Sequence, residues 1–199
     1  KLLFIFASEV IKNHPGSTII SDVKASSIVF SEIKKLGGNP LMWKTGHSFI
    51  KEKMRETNAL LAGEMSGHIF FADKYYGYDD AIYASIRLLN IISKKNILNK
   101  RLKPFSKITS TPEIKIFCED KIKFKVIEKC KILIKKRHTD INTIDGIRVN
   151  TKYGWWLLRA SNTQPALIVR CEAESNKNIM HLIDELKMLL NDLGIENNL

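Results

Sequence analysis

Apolar positions along the first half of the chain switch repeatedly between helical and strand periods. Leu2 to Lys12 carries the apolar spacing of an amphipathic helix, and His14, Pro15 and Gly16 end it. Thr18 to Lys24 (TIISDVK) predicts a strand, Ser26 to Leu36 a helix closed by Gly37 and Gly38, and Pro40 to Lys44 a second strand. His47 to Thr57 predicts a helix, Ala59 to Glu64 a third strand and His68 to Asp73 a fourth. Asp79 to Lys95 then predicts a long helix with Ile82, Ile86, Leu89 and Ile92 on one face. Strands and helices alternating at this spacing predict βαβ units and a largely parallel sheet covered on both sides.

The pattern lapses from Asn99 to Pro112, a polar stretch with Pro104 and Pro112 on either side of Ser106 to Thr111. A domain boundary is expected there, with an α/β domain over 1–107 and an α+β domain over 108–199. The second half predicts a strand at Glu113 to Glu119 and a helix at Lys121 to Lys136. Strands follow near Asp140 to Thr143, Gly146 to Asn150, Trp155 to Arg159 and Ala166 to Ala173, then a helix from Lys177 to Leu193. Consecutive hairpin-like strands with one helix early and one late predict a small α+β sheet.

Composition narrows the class. The 199 residues are 44% hydrophobic and 27% charged, which excludes disordered, collagen-like and low-complexity chains. No apolar run reaches the roughly 20 residues that cross a bilayer, so no membrane partner is expected and a cytoplasmic protein is. The net charge of +11 suggests nucleic acid at first sight, but 25 of the 32 cations are lysine and acids are interspersed, as in Lys51, Glu52, Lys53, Arg55, Glu56. Arginine readers are scarce, and no nucleic-acid partner is expected. The densest basic stretch, Lys121 to Arg137, fits an amphipathic helix with a wet lysine side. Cys118, Cys130 and Cys171 show no C-x-x-C pair and no Cys/His ligand spacing, so buried free thiols are expected and a metal site is not.

Polar groups gather where parallel strands end. Asp22-Val23-Lys24, then Lys44-Thr45-Gly46-His47-Ser48, then Gly63-Glu64-Met65-Ser66-Gly67-His68 would share one sheet edge. Carboxylate and hydroxyl suit sugar hydroxyls, while lysine and a helix start near Gly46 suit an anion. Lys24 and Lys44 read equally as surface lysines, and His47 as a helix-start residue bonding a neighbour. In the second half, Trp155-Trp156-Leu157-Leu158 runs into Arg159-Ala160-Ser161-Asn162-Thr163-Gln164-Pro165, an arginine-headed loop with the donors of an anion cup. A polar hairpin with an Asx-type turn is the alternative.

Taken together these strings resemble the α-D-phosphohexomutase superfamily, in its bacterial phosphomannomutase/phosphoglucomutase branch. The resemblance rests on DVK at Asp22 to Lys24, WKTGHS at Trp43 to Ser48, GEMSGHIFF at Gly63 to Phe71 and YDDAIY at Tyr78 to Tyr83. It continues through STPE at Ser110 to Glu113, DGIRV at Asp145 to Val149 and RASNTQP at Arg159 to Pro165. Met65 favours this branch over phosphoglucosamine mutases, which typically carry Gln there. The resemblance covers the third and fourth of the family's four domains, the fourth a TATA-binding-protein-like α+β unit, with the first residues trailing from a preceding domain. The implied fold is therefore a mixed, mostly parallel α/β sheet domain followed by a small TATA-binding-protein-like α+β domain.

It implies interconversion of hexose 1-phosphates and 6-phosphates. By resemblance Glu64 and Ser66 read the sugar hydroxyls, His47 lines the sugar site, and Lys24 and His68 support catalysis near the reacting end. Arg159, Ser161, Asn162 and Thr163 grip the non-reacting phosphate, and the four strand-end loops are expected to form one pocket. The family's phosphoserine string and its DGD-type Mg²⁺ loop have no counterpart, and Asp79-Asp80 lacks the third acid and the arginine of that loop. The chain, which begins with Lys1 inside a helical pattern, is thus expected to be part of something longer and inactive alone. Its expected partners are a phosphorylated hexose and a separate amino-terminal half chain. The alternative is a non-catalytic phosphosugar-binding module or a relic of gene decay.

Overall fold

The protein is described by a computed structural model covering residues 1–93, 97–197 and 199. It divides into two compact units, Lys1–Ser106 and Lys107–Leu199.

The first unit holds α1 (Leu2–Asn13), β1 (Thr18–Asp22), α2 (Ser27–Lys35), β2 (Asn39–Trp43) and α3 (His47–Thr57). β3 (Leu61–Gly63), β4 (Ile69–Phe71), α4 (Ala81–Ile92) and α5 (Ile97–Leu102) follow, and a 3-10 turn spans Lys103–Lys107. The sheet runs β2-β1-β3-β4. β1 is parallel to β2 and β3, placing Asp22 beside Trp43 and Ser21 beside Gly63. β4 is antiparallel to β3, with Gly63 opposite Ile69, because a five-residue turn is too short for the crossover that a parallel partner requires.

Three expectations change here. α1 is not half wet: Leu3 to Ser8, Val10 and Ile11 are all buried, as befits a helix apolar on most sides. The stretch from Asn99 to Pro112 is not featureless, since α5, the 3-10 turn and β5 (Thr109–Ser110) occupy much of it. The α4 face bearing Ile82, Ile86, Leu89 and Ile92 is exposed, while Ala84 and Ile91 are the residues turned to the core. The Lys94 to Lys95 end of that helix lies outside the described residues. Local chemistry fixes the other boundaries: Ser26 caps α2 by accepting from the Ile28 N–H, and Asp80 caps α4 by accepting from the Tyr83 N–H.

The second unit contains β5, β6 (Ile114–Phe117), α6 (Asp120–Ile134), β7 (Ile141–Asn142), β8 (Ile147–Thr151), β9 (Gly154–Ala160), β10 (Ala166–Ala173) and α7 (Asn176–Asp192). Its antiparallel sheet runs β5-β10-β9-β8-β7, and β6 also pairs with β10. Trp156, Leu158, Val169 and Cys171 of the sheet pack with Ile127, Cys130 and Ile134 of α6 and Leu182, Leu186, Leu189 and Leu190 of α7 in one cluster. Each such leucine contributes about 1.5–3 kcal/mol by leaving water. α6 departs from a uniformly wet lysine side: Lys123 is buried. All three cysteines are buried free thiols.

Candidate functional site

The carboxyl ends of β1, β2 and β3 lie along one edge of the first sheet, and the reversal of β4 brings its beginning to that same edge. Lys24, His47, Glu64, Ser66 and His68 are therefore neighbours in the fold as the strand order requires.

Glu64 is the fixed point. It is buried, and its carboxylate accepts from the Gly46 N–H at 2.5 Å and from the Ser66 hydroxyl at 3.4 Å. Gly46, the residue before α3, has φ of +131°, a conformation open to glycine. That conformation aims its N–H at Glu64 while His47 starts the helix. The turn carrying Glu64 and Ser66 is closed by the Glu64 N–H donating to the His68 carbonyl at 2.9 Å and the Gly67 N–H donating to the Glu64 carbonyl at 3.1 Å. Gly67, at φ +103°, supplies the left-handed step.

Asp79 is a member of this edge that the sequence did not single out. One of its oxygens lies 2.6 Å from His68 Nδ1 and the other accepts from the Ile69 N–H at 3.2 Å. His47 stacks edge-on to His68 with ring centroids 4.0 Å apart. Lys24, read alternatively as a surface lysine, is only 6% exposed, with its ammonium 3.7 Å from the buried Asp22. Asp22 in turn accepts from the Met65 N–H at 3.2 Å, tying the β1 end to the Glu64 turn. An ammonium withdrawn from water beside a carboxylate is costly to keep unless it has work to do. A cavity of about 540 Å³ lined by Lys51, Arg55, Leu60, Ala72 and Tyr78 opens at the opposite end of β3 and β4, and contains none of these residues.

In the second unit Arg159 ends β9, 5% exposed, with Nε donating to Asp145 at 3.0 Å. Its Nη2 is buried without a hydrogen-bond partner. The Ser161 hydroxyl accepts from the backbone N–H groups of Thr163 and Gln164 at 3.4 and 3.2 Å, which curls the loop, while Asn162 and Thr163 are exposed. The alternative is an Asx-type turn; here the Ser161 hydroxyl closes the turn, and the arginine with its spare donor lies at its base. Trp155 and Trp156 are core residues, 3% and 0% exposed.

Among the described residues one group has metal-ligand spacing, namely His47, Glu64 and His68, whose ligand atoms lie within 4.8 Å of one another. No linear ligand motif betrays it, because sheet order rather than chain spacing assembles it. Two imidazoles and one carboxylate do not fit magnesium, which takes oxygen ligands in a tight octahedron. Asp80 is committed elsewhere, accepting from the Tyr75 hydroxyl at 2.6 Å and the Tyr83 N–H at 2.9 Å. The Mg²⁺ that the resemblance implies therefore finds no fitting donor set among the described residues.

A doubly covered α/β unit with a polar strand-end edge, followed by an α+β unit with an arginine-headed loop, defines a class of two-domain α/β plus α+β proteins. Comparison places it further. Residues 1–111 match the family model described as phosphoglucomutase/phosphomannomutase, alpha/beta/alpha domain III, and residues 113–188 match that family's C-terminal domain. The chain belongs to the phosphoglucomutase/phosphomannomutase family and carries these two of its domains. It is 45% identical over 180 residues to the phosphomannomutase/phosphoglucomutase of Pseudomonas aeruginosa, covering 90% of this chain and 39% of that protein. It is 41% identical over 190 residues to a phosphoglucomutase of Neisseria meningitidis, covering 94% of this chain and 41% of that one. The chain thus spans about two fifths of the length of these relatives.

A crystal structure of a phosphoglucomutase/phosphomannomutase family protein from Burkholderia thailandensis matches 99% of this chain and 42% of its own, with TM-score 0.88 and 40% identity. The Aspergillus fumigatus N-acetylphosphoglucosamine mutase, solved with GlcNAc-6P and magnesium, matches at TM-score 0.63 over 96% of this chain and 42% of its own. Its 16% identity makes that a likeness of fold. No helix among the described residues is long and apolar enough to cross a membrane.

Proposed function

We propose that this chain supplies hexose-phosphate recognition to a phosphohexomutase that interconverts hexose 1-phosphates and 6-phosphates. Glu64 accepts from sugar hydroxyls and Ser66 exchanges hydrogen bonds with them, while Lys24, His47 and His68 line the sugar's reacting end. Arg159, Ser161, Asn162 and Thr163 hold the phosphate that does not react. Domains 1–107 and 108–199 divide these tasks between sugar and phosphate.

The observation that carries this reading is the buried, unpartnered Nη2 of Arg159. Leaving such a donor unsatisfied costs roughly 1–3 kcal/mol, an expense that persists where a ligand oxygen completes it. Asp145 orients the guanidinium through Nε, leaving the terminal nitrogens for a phosphate.

Phosphoryl transfer needs a positioned donor and charge neutralisation, and the chain contains neither a T-A-S-H-N-like nor a D-G-D-x-D-R-like string. Turnover by these residues alone is therefore negligible, and activity requires a second chain or segment bearing those groups. Calorimetry with glucose 1-phosphate tests the binding role. Wild type binds near millimolar, about −4 kcal/mol, and Arg159→Ala binds at least about tenfold more weakly. Identical heats for both proteins would remove the phosphate assignment. Mixing with an amino-terminal half of a family member, followed by assay of mannose 6-phosphate formed from the 1-phosphate, separates a complementable half from a non-catalytic binding module.

A further inference from the structure

We propose that His47, Glu64 and His68 form a binding site for a divalent cation of the zinc type, with Asp79 orienting His68. One imidazole comes from the first residue of α3, the carboxylate from the end of β3, and the second imidazole from the residue before β4. Their ligand atoms lie within 4.8 Å of one another. Bonds of roughly 2.0–2.2 Å in a tetrahedron set ligand atoms about 3.3–3.6 Å apart, so the group needs to close by about an ångström. Rotamer adjustment of His47 provides that movement, since its side chain is 46% exposed.

Each ligand is already turned to the task. Glu64 is held through one hydrogen bond to each carboxylate oxygen, which leaves lone pairs on both. The contact between Asp79 and His68 Nδ1 occupies one ring nitrogen and leaves Nε2 as the ligand atom. Because Asp79 is itself held by the Ile69 N–H, the ring direction is fixed from behind. This carboxylate–histidine arrangement is the one that orients metal-bound imidazoles and raises their basicity. His47 Nε2 is 3.8 Å from Asp79, beyond hydrogen-bond reach, and so is not committed to it.

Charge favours a cation on balance. Glu64 and Asp79 together neutralise a divalent ion, which outweighs the partial positive charge at the start of α3 that opposes it. Two nitrogens and one oxygen select zinc, cobalt, nickel or copper over magnesium or calcium. Three protein ligands leave the fourth position to water or an anion.

The site is measured with metal alone, so it stands or falls separately from sugar recognition. Zinc titrated calorimetrically into the chain binds one equivalent, and cobalt at the same site gives a tetrahedral visible spectrum. His47→Ala, at a half-exposed position where folding is least at risk, weakens zinc by at least about tenfold, and Glu64→Gln and His68→Ala do likewise. Asp79→Asn weakens it by about 10–100-fold while leaving one equivalent bound. Circular dichroism confirms that each variant is folded, and His14→Ala, at an exposed histidine elsewhere, binds zinc as wild type does. Absence of one-equivalent binding below about 100 μM zinc, or zinc affinity unchanged in folded His47→Ala and Glu64→Gln, overturns the site. Unchanged affinity in Asp79→Asn overturns the orienting role.

Discussion

The Lys123 ammonium, on a side chain 5% exposed, donates to the carbonyl oxygen of Gln164 at 2.9 Å. A lysine from the first turn of α6 thus braces the loop that Arg159 heads, and Asp120 at 2.6 Å balances its charge. Lys123→Met keeps the stem and removes the donor, leaving that carbonyl without its lysine. Expected outcomes are a stability loss of about 1–3 kcal/mol in urea denaturation and weaker glucose 1-phosphate binding by calorimetry. Binding unchanged in the folded variant would show that the brace does not shape the loop.

Gly146 is expected to tolerate no side chain. Its φ is +82°, and a Cβ there would meet the Leu158 carbonyl oxygen and lie 2.5 Å from Arg159 Cβ and 2.7 Å from Arg159 Cα. β8 and β9 must approach this closely at the point where Asp145, the neighbouring residue, reaches Arg159. Gly146→Ala is expected to cost about 1–3 kcal/mol by overpacking, measured by thermal or urea unfolding, and to weaken phosphate binding with it. A variant as stable as wild type would contradict the close approach.

Acid should loosen the start of α4. The hydrogen bond from the Tyr75 hydroxyl, helped by the Tyr83 N–H, lowers the Asp80 pKa below its usual 3.8, and the same contact raises that of Tyr75 above 10.0. A carboxyl whose folded pKa is depressed adds stability that is present above its unfolded pKa and is lost as pH falls through the folded value. Hydrogen exchange at Tyr83 and Ala84 is therefore expected to accelerate below about pH 4, relative to the rest of the unit. Asp80→Asn should abolish that pH dependence while keeping a capping side chain.

The thiols should stay silent until the second unit unfolds. Burial pushes Cys130 and Cys171 up to about 12 and raises Cys118 above its usual range, and only the thiolate reacts. At pH 8 a disulfide reagent is expected to label none of the three rapidly in the folded chain and all three in denaturant. Rapid labelling of one thiol under native conditions would reveal local opening around it.

The sequence was most informative where one period dominates. Ala166 to Ala173 opens with four apolar residues directly after Pro165 and forms β10 over that range, and His47 to Thr57 forms α3 as spaced. Short strands were legible in place but not in direction: β3 and β4 have three residues each, and apolar runs of that length do not encode parallel or antiparallel pairing. The exposed stripe of α4 misled because an apolar face announces burial without saying against what. In the site, Glu64, Ser66 and His68 were visible as a polar run between apolar strands. Asp79 and Lys123 were not, since their partners lie 11 and 41 residues away and only the folded chain brings them into contact.

Reversing a single short strand has a large effect on what this edge can hold. At about 3.3 Å per residue, a β4 running the other way would start some 10 Å distant, and His68 would begin on the far rim of the sheet. Because the chain doubles back after Gly63, a single turn presents both Glu64 at its start and His68 at its end to one rim. Lengthening or shortening the loop between Glu64 and His68, rather than altering any crossover helix, is accordingly the change through which a homologous protein could most economically retune its selectivity.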